Sequence, residues 1–139
     1  MDEPVEKKGY RFEALSHDVI GVCIDVQRQL GLHCKEEDYQ RALALGLKKR
    51  DIKFERESPI PVVYEGEVIT ERRVDFRIWN DQYELLLKAK ARIGLEPKDV
   101  EQCLLYLSQG KFKISLLINF GEIPMGVRRL VYTPEEVTS

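Results

Sequence analysis

Four side chains in this sequence have the types and spacing for ion-assisted chemistry on an anionic substrate: Glu36, Asp75, Lys88 and Lys90. The stretches around Asp75 and around Lys88 to Lys90 read as consecutive strands joined at the turn residues Asn80 and Asp81. Residues two apart on a strand share a face, so Lys88 and Lys90 project together while Ala89 faces the other way. Carboxylates gathered in such a place can hold magnesium, and a lysine beside them can stabilise developing charge or position an attacking water. The same residues can also neutralise one another, with Asp75 and Glu36 as salt-bridge partners of the two lysines in a polar pocket that needs no ion.

Elements of recognisable kinds must position these groups. Ser16 is a good N-cap, and Val19, Val22, Val26 and Leu30 follow at helical spacing, with Gly31 placed to end the helix. Residues 1–14 before it read as a flexible or docking arm, and residues 15–139 as one domain. A second helix runs from about Lys35 to Arg50 on the stripe Tyr39, Leu43 and Leu47. Phe54 to Tyr64 carries Pro59 and Pro61 and reads as an edge strand. Glu65-Gly66 is a turn, and Glu67 to Ile78 and Tyr83 to Ala91 are the next two strands. Pro97 opens a third helix whose buried face is Val100, Cys103, Leu104 and Leu107, ending at Gly110. Ile114 to Phe120 is a mainly apolar run of strand length, as a central strand covered on both faces would be, and Arg128 to Thr133 is a last short strand. Two helices, three strands, a helix and two strands imply an α/β or α+β domain with helices packed on a mixed sheet.

Composition narrows the function classes. The chain has 139 residues and a net charge of −2, which suits one domain and supplies no global basic field for nucleic acid. A basic strip from Arg72-Arg73 and Arg128-Arg129 remains available to phosphates, while Lys48-Lys49-Arg50 reads as the solvated end of a helix. No apolar run approaches the roughly 20 residues of a membrane span, and the first residues lack the apolar core of a signal peptide. The three cysteines, Cys23, Cys34 and Cys103, have no metal-ligand spacing and imply a reduced, cytoplasmic setting. His17 and His33 are likewise not spaced as ligands.

Several motifs in order resemble the GxxExxY family of PD-(D/E)XK nuclease-like proteins. Glu36 and Tyr39 match its Gly-x-x-Glu-x-x-Tyr motif, with His33 in the glycine position. Arg73-Val74-Asp75 resembles its aspartate strand, Gln102, Tyr106 and Leu107 its Gln-x-x-x-Tyr-Leu helix, and Leu117-Ile118-Asn119-Phe120-Gly121 its late strand. The likeness runs from Leu15 to Val131 and implies a restriction-endonuclease-like mixed sheet flanked by helices. It also implies magnesium held by acids at the Asp75 site and Lys90 as the catalytic lysine.

The departure from that pattern bears on function. Lys88 falls where the family has the glutamate of Glu-x-Lys, so the triplet reads Lys-Ala-Lys. Gly46 stands in place of another family glutamate and Asp51 in place of a glycine. Two unit charges about 4 Å apart interact by roughly 4 kcal/mol at an effective dielectric near 20, and a divalent ion about doubles that. Lysine for glutamate therefore removes an attraction and adds a repulsion of similar size. Glu84 would sit about 13 Å along the strand from Lys88, too far to substitute, which leaves Glu36 as the acid able to join Asp75.

Three functional expectations follow. The first is a catalytically degenerate nuclease-like protein, with no cofactor, acting as a structural, self-assembling or binding module, with the proline-bearing edge strand and Trp79 as surfaces for a homo-oligomer. The second is a magnesium-dependent nuclease in which Asp75 and Glu36 bind the metal and Lys90 stabilises the transition state. The third is nucleic-acid binding without catalysis.

Overall fold

The computed structural model describes residues 3–110, 112 and 114–131, with side chains from residue 14 onward. Its elements in chain order are α1 (Glu3–Leu30), α2 (Glu36–Lys49), β1 (Lys53–Tyr64), β2 (Glu67–Trp79), β3 (Glu84–Lys90), α3 (Pro97–Gly110), β4 (Ile114–Asn119) and β5 (Gly126–Val131). The five strands form one sheet in the order β1-β2-β3-β4-β5. β3 and β4 run parallel and the other neighbours antiparallel, so the sheet is mixed. The parallel pair needs a crossover, and α3 supplies it.

Two cores sit on the two faces of this sheet. On one, Val19, Val22, Val26, Tyr39, Leu43 and Leu47 of α1 and α2 meet Phe76, Ile78, Leu87, Leu116 and Ile118. On the other, Tyr106 and Leu107 of α3 meet Ile60, Val74 and Leu86. β4 is buried at every position, its polar Ser115 and Asn119 included, as a strand covered on both faces must be. The fold is the α/β arrangement of helices on a mixed sheet anticipated from the order of elements.

One boundary is corrected. α1 begins at Glu3, not at Ser16, so the backbone of the expected arm is helical from residue 3. Pro4 sits in the first turn, where its missing N–H costs nothing, and nothing before Ser16 breaks the helix. Ser16 lies buried inside α1 and accepts a hydrogen bond from Arg129 Nη2 at 3.3 Å. The expected end of β5 at Thr133 lies outside the described residues.

Both loops that frame the site are fixed locally. Gly31 takes a φ of 77° after α1, the left-handed backbone expected of it there. Its carbonyl accepts the Tyr39 hydroxyl, which ties the two helices together. The Tyr39 ring stacks on Phe120 with centroids 4.8 Å apart, so the end of β4 is anchored to α2. At the β2–β3 turn, Asn80 Oδ1 accepts the N–H groups of Gln82 and Tyr83.

Candidate functional site

The site lies where β2 and β3 separate. Their paired residues run from Trp79↔Glu84 to Phe76↔Leu87 and stop. Asp75 is the next residue of β2, and its Oδ2 takes the Ala89 N–H at 2.8 Å. A buried carboxylate thus replaces a backbone acceptor and holds the two strands at the point of divergence.

Lys88 and Lys90 lie together under α3 while Ala89 enters the opposite core, as strand parity requires. Lys88 Nζ stands 3.4 Å from Asp75 Oδ1. Burial opposes the ammonium, but the Asp75 charge and hydrogen bond, with smaller help from Tyr106 and Glu36, raise its pKa above that of an ordinary lysine. Lys88 is therefore a fixed cation at neutral pH. Tyr106 is buried beside it, and that burial pushes its phenol pKa upward.

Lys90 does not share Asp75. Its Nζ lies 3.5 Å from Oδ1 of Asp99 on α3, the same oxygen that Arg92 Nη2 reaches at 2.5 Å. Asp99 is only 1% exposed. Its Oδ2 accepts the Glu96 N–H at 2.9 Å, as the third residue of a helix does in a capping box. Burial works against the Asp99 carboxylate, yet the Glu96 N–H, Arg92 and Lys90 together hold its pKa below the usual value.

Asp99 was not singled out from the sequence. Its signal was present all the same: Asp99, Cys103 and Tyr106 recur at helical spacing on the buried face of α3. An acid on an apolar stripe requires a cationic partner, and the nearest strand offered two.

Glu36 is the first residue of α2 and is half-buried. It contributes the last of the influences on Lys88, but no hydrogen bond or ion pair joins it to Asp75 among the described residues. Of the four expected residues, Lys88 pairs with Asp75, Lys90 pairs instead with Asp99, and Glu36 acts on Lys88 through its charge alone.

A late loop fastens the end of β3. Lys90 pairs with Asn119 across the parallel ladder, and the Lys90 carbonyl accepts the Phe120 N–H at 2.8 Å. Asn119 then clamps the next turn: its Oδ1 accepts the Arg92 N–H at 3.2 Å and its Nδ2 donates to the Arg92 carbonyl at 2.8 Å. Gln27 of α1 donates to the carbonyls of Phe120 and Glu122 from the other side. The Leu117 to Gly121 motif is therefore the brace that sets the direction of Lys90 and Arg92.

The donor set does not fit a magnesium ion as arranged. Magnesium calls for oxygen ligands in near-octahedral order. Here the Lys88 ammonium occupies the cation's place against Asp75, and Asp99 is committed to Lys90, Arg92 and the helix cap. Placing a divalent ion about 4 Å from the Lys88 ammonium would cost roughly 8 kcal/mol at an effective dielectric near 20. Among the described residues, no group of three or more His, Cys, Asp or Glu side chains is disposed to hold a metal.

The family model described as the PD-(D/E)XK nuclease superfamily matches residues 13–130. No curated protein and no solved structure matches the chain.

Proposed function

Because the chain belongs to the PD-(D/E)XK nuclease superfamily, we propose that it is a GxxExxY-type member whose cleavage site is degenerate, retained as a structural, self-assembling or binding module. The observation that carries this reading is Lys88 Nζ at 3.4 Å from Asp75 Oδ1, an internal cation in the position of an external one. The Asp75 carboxylate also serves the backbone of β3, a structural task that gives a reason to keep it without catalysis. Two of the three cysteines are buried free thiols, consistent with a reducing, cytoplasmic setting.

Superfamily membership favours a second reading, a magnesium-dependent nuclease using Asp75, Glu36 and Lys90. That reading requires Lys88 to leave Asp75 and Glu36 to approach it. A cleavage assay on supercoiled plasmid, single-stranded DNA and RNA with magnesium or manganese separates the two. The expected result is no cleavage above that of Asp75→Ala. Metal-dependent cleavage that Asp75→Ala abolishes would establish the nuclease instead. The exposed Arg72, Arg73, Arg128 and Arg129 support the remaining reading, nucleic-acid binding without catalysis. Its signature would be affinity that falls steeply with salt.

A further inference from the structure

Past Phe76 the β1–β2 hairpin leaves the sheet. β3 offers β2 no partner beyond Phe76, and the nine steps back to Glu67 carry the two-stranded ribbon about 30 Å further. One side of the ribbon rests on α3 through Ile60 and the Val63 N–H, and its tip bares four large apolar side chains: Val63, Tyr64, Val68 and Ile69, of which Tyr64 is 64% exposed. Between them the turn carries Glu65 and Glu67 with no base before Arg72.

The outer edge of β1 is not where a partner strand would add. Pro59 and Pro61 have no N–H to offer, and the Val63 N–H is taken by Gln109 of α3 at 3.2 Å. At Pro59, Pro61 and Val63 the strand therefore offers a partner no free N–H, and the apolar side chains of the hairpin tip lie exposed beside it.

A complementary surface lies on the other side of the molecule. α1 and α2 leave an open groove of about 250 Å³, lined by Val22, Val26, Leu30, Ala42, Leu45 and Gly46. Leu45 is 54% exposed on it. The volume exceeds that of a cavity able to hold a benzene ring. Its charged lining is one acid, Asp25, against two bases, Lys49 and Arg50. Asp25 is already engaged by Arg28, Arg50 and Gln29, which leaves the lining with a net positive charge.

We propose that the hairpin tip of one copy docks into the α1–α2 groove of a second copy, with Tyr64 in the apolar floor and Glu65 and Glu67 against Lys49 and Arg50. Apolar area meets apolar area, and the acidic turn meets the basic rim. Each copy carries both halves, so the contact closes reciprocally or continues head to tail. The proposal is independent of whether the Asp75 site binds metal, and failure of either leaves the other standing.

Sedimentation of the full chain across the micromolar to millimolar range tests it, with two variants at exposed positions, Tyr64→Ser and Leu45→Glu. Wild type should associate with rising concentration. Each variant should keep the wild-type melting temperature and associate at least about tenfold more weakly, the order expected for losing one buried apolar side chain. Mixing the two variants should restore one intact junction, the Leu45→Glu tip in the Tyr64→Ser groove, read as a hetero-complex when one variant is fluorescently labelled. Wild type that stays monomeric would overturn the proposal. So would variants that associate like wild type, or a mixture that forms no hetero-complex.

Discussion

Gly121→Ala should destabilise the protein by about 3 kcal/mol or more, the upper end of what overpacking costs. A Cβ built at Gly121 would lie 2.3 Å from the Arg92 nitrogen, 2.6 Å from its oxygen and 2.8 Å from the Ala91 carbonyl carbon. These are backbone atoms, already clamped by Asn119 on their other side, so no flexible side chain can yield. Relief must come from moving the end of β3 away from β4, and that movement carries Lys90 and Arg92 off Asp99. Chemical denaturation reads the loss directly. Gly21→Ala provides the control, since a Cβ there meets nothing within 4 Å and a helical glycine gains by the change. Equal stability of the two variants would show that the brace is not tight.

Asp99→Ala should cost about 3 kcal/mol, the lower end for breaking a buried ion pair. It removes the partner of Lys90 and Arg92 and the acceptor for the Glu96 N–H in one step. The lower end applies because Lys90 and Arg92 are partly exposed and can turn toward water. The same carboxylate predicts a pH response. Its folded pKa is depressed, so the stability it adds is present above the unfolded value near 4 and is lost as pH falls through the folded value. Denaturation midpoints measured from neutral to acid pH should therefore decline in wild type and decline less in Asp99→Ala. An unchanged acid limb in the variant would mean that other carboxylates set it.

The element order, the turns and the mixed sheet were legible because each rests on a local rule. Gly31, Pro97 and the mainly apolar β4 stand where helix ends, helix starts and doubly covered strands require them. The start of α1 was not legible, since Ser16 has the chemistry of a cap but is instead bonded to Arg129, 113 residues away. In the site, strand parity put Lys88 and Lys90 on one face with Ala89 on the other, and in the structure Ala89 enters the opposite core. Which acid each lysine chooses depends on how α3 docks. That is a tertiary matter, and it pairs Lys88 with Asp75 and Lys90 with Asp99. Asn119 at the end of β4, with Phe120 and Gly121 after it, carries the family likeness for a reason that only the fold displays: together they fix the backbone leaving Lys90.

The central claim is that Lys88 has taken the place of a divalent ion at Asp75. Magnesium and manganese titrated by calorimetry into folded wild type and Lys88→Glu test it most directly. The account predicts no binding to wild type, and binding to Lys88→Glu that disappears when Asp75→Ala is added. Binding of either ion by wild type, abolished by Asp75→Ala alone, would contradict it.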